Sequence, residues 1–177
     1  MEQYYRHSFF VDAGVNLSIG KEVNKLQTRF GFSEEMRKLL LVQSQGKGTL
    51  TLGPSLDSFA SFSTIMQWYT LDGLDDTLDV IERNEDFILA DFLFVFAQDT
   101  EGNQYAEITK GRLKGHIVWL NACYYEDVDS LEELLEEYSE QSESPQIKVD
   151  DELVFHLLYT SNQLVSVRAQ SLELFLC

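Results

Sequence analysis

The stretch from Phe87 to Asn121, FILADFLFVFAQDTEGNQYAEITKGRLKGHIVWLN, constrains the fold more than any other part of the chain. Phe92, Phe94 and Phe96 alternate with Leu93, Val95 and Ala97, so both faces of an extended segment are apolar. That pattern marks a strand covered on both sides. Asp99-Thr100-Glu101-Gly102-Asn103 then interrupts the run with residue types that tolerate tight-turn dihedrals. Gln104 to Ile108 returns as a shorter strand, Lys110 to Gly115 is a polar turn bracketed by glycines, and His116 to Leu120 is a third strand. Connections this short cannot cross over to a parallel neighbour, so the stretch predicts an antiparallel meander.

Helices are predicted on either side of it. Val23, Leu26 and Phe30 recur at helical spacing from Gly20 onward. Ser33 has the character of an N-cap, with Glu34 and Glu35 in the first turn and Met36, Leu39 and Leu40 as the buried stripe. Leu71, Leu74, Leu78 and Ile81 mark one face of a helix ending near Asn84, with Asp72, Asp75, Asp76 and Asp79 off that face. Asp129 with Glu132 fits a capping box for a further helix whose apolar face is Leu131, Leu134, Leu135 and Tyr138. Thr49 to Leu52 reads as a strand, Phe9 to Val11 as a strand or a tether, and Ser55 to Thr70 as either a helix or a loop. After a linker around Pro145, Leu153 to Tyr159 and Leu164 to Val167 suggest a hairpin, followed by an apolar tail that packs back on the domain or meets another chain.

The meander carries a resemblance. A strand ending in Phe96-Ala97-Gln98-Asp99, the Gly102-Asn103 hairpin, Tyr105 in the next strand, then Gly115 and a strand with Val118 and Trp119 resemble the SUKH superfamily of cell-wall-synthesis regulators and bacterial immunity proteins. Ser130-Leu131-Glu132-Glu133-Leu134-Leu135 is similar to the start of that family's closing helix. The likeness spans roughly Gly20 to Glu140. Phe32-Ser33 stands where the family usually has Leu-Pro, and Trp119-Leu120-Asn121 where it has Trp-Asp-His. The resemblance implies an α+β fold, a central antiparallel sheet flanked by helices. It makes Asp99, Gly102, Asn103 and Trp119 structural motif positions. The expected organisation is an N-terminal segment 1–19, a SUKH-like domain 20–142 and a C-terminal extension or appendage 143–177, whose pattern suggests a hairpin packing on the domain.

Charge narrows the partners. The net charge is −17, from 30 acidic against 13 basic residues. A surface of that sign repels nucleic acid and anionic membrane and attracts basic proteins. Between Lys114 and Lys148 there is no Lys or Arg, while Glu126, Asp127, Asp129, Glu132, Glu133, Glu136 and Glu137 accumulate. A solvated helix face ordinarily mixes signs at four-residue spacing. This one is either a solubilising face or an anionic docking surface for a basic partner.

Catalytic and cofactor signals are lacking. Gly46-Lys47-Gly48-Thr49 has Leu41 where a phosphate loop needs its first glycine and reads as a turn. His7, His116 and His156 form no metal-ligand spacing, and Asp99, Glu101 and Asn103 are explained by a hairpin rather than a calcium loop. Cys123 and His116, seven apart, would point to opposite faces of a continuous strand. Two cysteines and an N-terminus without a signal pattern are those of a cytoplasmic protein. The expectation is therefore a non-enzymatic, cofactor-free, acidic binding domain. The resemblance implies an immunity protein that occludes a cognate toxin, commonly a nuclease; the alternative is a regulatory or scaffold module. The toxin would be the basic partner.

Overall fold

A computed structural model describes residues 17–43, 65–68, 74–99, 101–122, 130–141 and 165–176. In chain order these form α1 (Leu17–Phe30), α2 (Glu34–Gln43), β1 (Ile65–Trp68), α3 (Leu74–Glu85), β2 (Leu93–Asp99), β3 (Gln104–Ile108), β4 (Ile117–Leu120), α4 (Leu131–Gln141), β5 (Val165–Ala169) and α5 (Leu172–Leu176). The architecture is α+β. The five strands make one sheet in the order β1-β2-β3-β4-β5, every neighbour antiparallel. The meander expected from Phe92 to Leu120 is its centre.

The doubly apolar strand lies where its composition requires. Leu93 through Ala97 are all buried in β2. On one face Phe94 meets the Phe32 ring at 4.4 Å and the Phe30 ring at 5.5 Å, both beside the junction of α1 and α2. That junction depends on a glycine. Gly31 ends α1 by donating its N–H to the Gln27 carbonyl at 2.9 Å, with φ at +75°. A side chain would strain this left-handed conformation, and the turn it makes sends Phe32 back onto the sheet. Val23, Leu26, Met36, Leu39 and Leu40 complete the cover as their spacing predicts.

Ser33 caps α2, its Oγ accepting from the Met36 N–H at 3.1 Å. It also reaches into the sheet. Its N–H and hydroxyl donate to the two carboxylate oxygens of Glu107 in β3, at 2.6 Å and 2.9 Å. Glu107 is 0% exposed. Burial pushes its carboxyl above the ordinary range, and the two bonds from Ser33 only partly offset this.

Several details depart from expectation. Within 55–70, which suggested helix or loop, Ile65–Trp68 is an edge strand. Four residues are too few to display a period, and here the ladder partner decides. In α3 the buried side is not that of Leu78, which is 48% exposed, but that of Val80 and Asn84. Asn84 explains the rotation. Its side-chain amide donates to the Val95 carbonyl at 3.0 Å and accepts the Val95 N–H at 2.6 Å. The described pairing of β1 reaches Trp68 opposite Ala97, and Asn84 satisfies the Val95 backbone groups two residues back along β2. A search for apolar stripes passes over an amide used this way.

The cap of α4 is Ser130, whose Oγ accepts the Glu133 N–H at 3.1 Å. Asp129 is one position too early for a helix beginning at Leu131. Part of the C-terminal extension is integral to the sheet. Val165–Ala169 pairs along β4 as the fifth strand, and α5 puts Phe175 against Tyr105 and Phe96. Expectations for Phe9 to Val11, for Gly46 to Leu52, for Leu71 and for Leu153 to Tyr159 lie outside the described residues, as do Cys123, His7 and His156.

Candidate functional site

The site is built from the β2–β3 hairpin outward. Asp99 closes β2 and is itself buried. Its carboxylate accepts from the N–H groups of Glu101 and Asn103 at 2.9 Å and 3.0 Å, and from the Asn103 side-chain amide at 3.1 Å. Gly102 has φ at +85°, a conformation that leaves little alternative to glycine in so tight a loop. From the far side the Trp119 indole Nε1 donates to Asp99 Oδ2 at 3.1 Å. The other end of the Asn103 amide accepts the Ala122 N–H at 3.0 Å. The four motif positions thus form one connected unit in space. Its reach to Ala122 fixes the chain as it leaves β4 in the direction of α4.

Trp119 is only partly buried. Its ring serves as a platform, with the Arg168 guanidinium carbon 5.0 Å from the ring centroid. An indole that must offer a face to a charged group cannot be sealed into the core.

On α4 the apolar and acidic faces separate. Leu134 and Leu135 are buried and Leu131 partly so, while Glu132, Glu133 and Glu136 are exposed. Glu132 and Glu133 stand in the first turn, where the helix dipole favours anions. Glu137 belongs to the same helix. Its side chain, with Glu126, Asp127, Asp129 and Tyr138, lies outside the described set.

Helices α1 and α2 carry opposite-charge pairs within their own turns. On α1, Lys25 pairs with Glu22 at 2.7 Å, and on α2 the Arg37 guanidinium grips Glu34 at 2.7–2.9 Å. That grip holds the Glu34 carboxyl below its ordinary pKa. The residues of α4, LEELLEEYSEQ, include neither Lys nor Arg.

Glu107, Asn84 and Arg168 were not singled out from sequence. A lone acid in the apolar Tyr105-Ala106-Glu107-Ile108 run was the available signal for the first. For the other two the sequence offered none, because each depends on a partner distant in the chain.

Among the described residues no group of three or more His, Cys, Asp or Glu could hold a metal ion, and no helix is long and apolar enough to cross a membrane. No protein-family model matches the sequence, and no curated protein and no solved structure matches it.

Proposed function

We propose that this chain is an acidic protein-binding domain of the immunity type, which neutralises a basic cognate toxin by covering its working surface. The observation that carries the reading is α4. Glu132, Glu133 and Glu136 are exposed on a helix without a single basic residue, in a chain of net charge −17. Such a helix has no opposite-charge pairs within its own turns, and an anionic face of this kind accelerates encounter with a basic partner. A toxin that grips nucleic acid is basic for the same electrostatic reason, which makes a nuclease domain the fitting target. The resemblance of the Asp99–Trp119 meander to the SUKH superfamily supports the same class. Neutralisation needs no turnover and no cofactor, and its setting is the cytoplasm in which the toxin would act.

The experiment is co-expression. A basic toxin domain, taken from a toxin-like reading frame should one lie beside this gene, is induced with and without the chain, and growth is followed. Rescue by the wild type, together with loss of rescue when Glu132, Glu133 and Glu136 are changed to Lys, supports the proposal. Undiminished rescue by the charge-reversed variant removes the acidic helix from it.

A further inference from the structure

Arg168 sits in β5 at an irregularity of the ladder, between the pairs Val118–Val167 and Ile117–Ala169. Its guanidinium carbon lies 5.0 Å from the centroid of the Trp119 ring. No ion pair among the described residues includes it, and its Nε is closed off without a hydrogen-bond partner. In a chain with 30 acidic residues, an arginine without a carboxylate is the unusual case. Next to it Ser166, directly opposite Trp119 in the ladder, also has a buried Oγ with no partner.

The platform beneath is rigid. Trp119 is held through its indole N–H by buried Asp99, which is tied in turn to the Gly102 hairpin. The negative charge of Asp99 at the indole edge also favours a cation over the ring face. Stacking occupies the flat side of a guanidinium and, with Nε enclosed, leaves the two terminal Nη groups in its plane to meet a ligand. That planar fork matches a carboxylate in two-point contact, and stacking has already restricted its rotamers.

The surroundings distinguish a polypeptide from a free ion. Leu174 of α5 is 61% exposed, on a helix that packs against β5. Val167, the residue before Arg168, is exposed as well, and exposed apolar side chains in the same segment as an Arg–Trp pair are the composition of a protein-binding anchor. A doubly charged phosphate would meet more repulsion from a surface of net charge −17 than a single carboxylate.

We propose that Arg168, stacked on Trp119 beside Ser166, is a docking point for a carboxylate side chain of a partner polypeptide. This is separate from the acidic helix. It calls for an acidic residue on the partner where α4 calls for basic ones, so either can fail alone.

The test uses the whole chain labelled with nitrogen-15 and follows the Arg168 Nε–H and Trp119 indole resonances. Three probes are titrated at fixed ionic strength: a capped peptide with one Glu flanked by Leu and Ala, its Gln counterpart, and sodium acetate. The Glu peptide is expected to shift both resonances saturably, about tenfold or more tighter than either other probe. Arg168→Gln should abolish the response of the Trp119 resonance. Arg168→Lys, which keeps charge without the planar fork, should weaken it severalfold, by roughly the difference between a two-point and a one-point contact. Equal binding of the Glu and Gln peptides overturns the proposal, and this comparison needs no variant. Acetate binding as tightly as the Glu peptide also overturns it, as does an unchanged response in Arg168→Gln.

Discussion

Ser33 and Glu107, 74 positions apart, share two hydrogen bonds, from the serine N–H at 2.6 Å and from its hydroxyl at 2.9 Å. The same hydroxyl oxygen caps α2, so the start of this helix is fastened to the middle of the sheet through one buried carboxylate.

A pH dependence follows. Burial raises the folded-state pKa of Glu107 above its ordinary value of 4.5. The folded chain therefore holds this proton more tightly than the unfolded chain. The contribution is fully present below the ordinary pKa and is lost as pH rises through the elevated one. Glu107→Gln cannot titrate, so its stability relative to wild type should rise with pH across that window. Urea midpoints of both proteins from acid to neutral pH check this, and a constant difference would count against it. Ser33→Ala should cost more than the ~1 kcal/mol of a lost cap, because it also strips a donor from a buried charge. The excess should shrink in the Glu107→Gln background.

Phe94 is 0% exposed and packed against Phe30 and Phe32. Phe94→Ala should remove about 3–5 kcal/mol of stability. Chemical denaturation measures it, and a midpoint unchanged from wild type would show that β2 is not the centre of the core.

Asn84 stands in for a strand at the edge of β2. Asn84→Leu has similar size but leaves the Val95 N–H and C=O without partners, at a cost of about 2–4 kcal/mol. Hydrogen exchange at the Val95 amide should accelerate in parallel. Continued slow exchange there would mean that the amide is protected by something other than Asn84.

How much of this was legible in the sequence depended on how local each cause was. The Phe92–Leu120 meander could be read because alternation and turn residues act over a few positions, and the Ser33 cap because capping is a contact within one turn. The Val80–Asn84 face of α3 was missed because an asparagine was chosen there by Val95, eleven residues on. β1 was missed because a four-residue edge strand takes its conformation from its neighbour. The Asp99, Gly102, Asn103 and Trp119 positions were found as a motif, yet their wiring through Asn103 to Ala122 appears only in three dimensions. Arg168 could not be found at all. Nothing near it in the chain announces that a strand beginning 46 residues after Trp119 will return beside it; that conclusion requires the ladder of β4 with β5.

The acidic helix is the central claim, and association kinetics test it most directly. Glu132 and Glu136 stand four apart on α4 and are exposed, and their reversal leaves Leu134 and Leu135 untouched. Glu132→Lys/Glu136→Lys should alter fold stability by no more than about 1 kcal/mol, since relief of like-charge repulsion opposes the loss of an anion in the first turn. The measurement is the association rate of wild type and of the double reversal with the neutralised toxin domain, at low and at high salt. Charges at the surface are screened over about 8 Å at physiological ionic strength. The wild-type rate should fall steeply with salt, and the variant should associate slowly at low salt with its dissociation rate little changed. Equal association rates for the two proteins, insensitive to salt, would contradict the account.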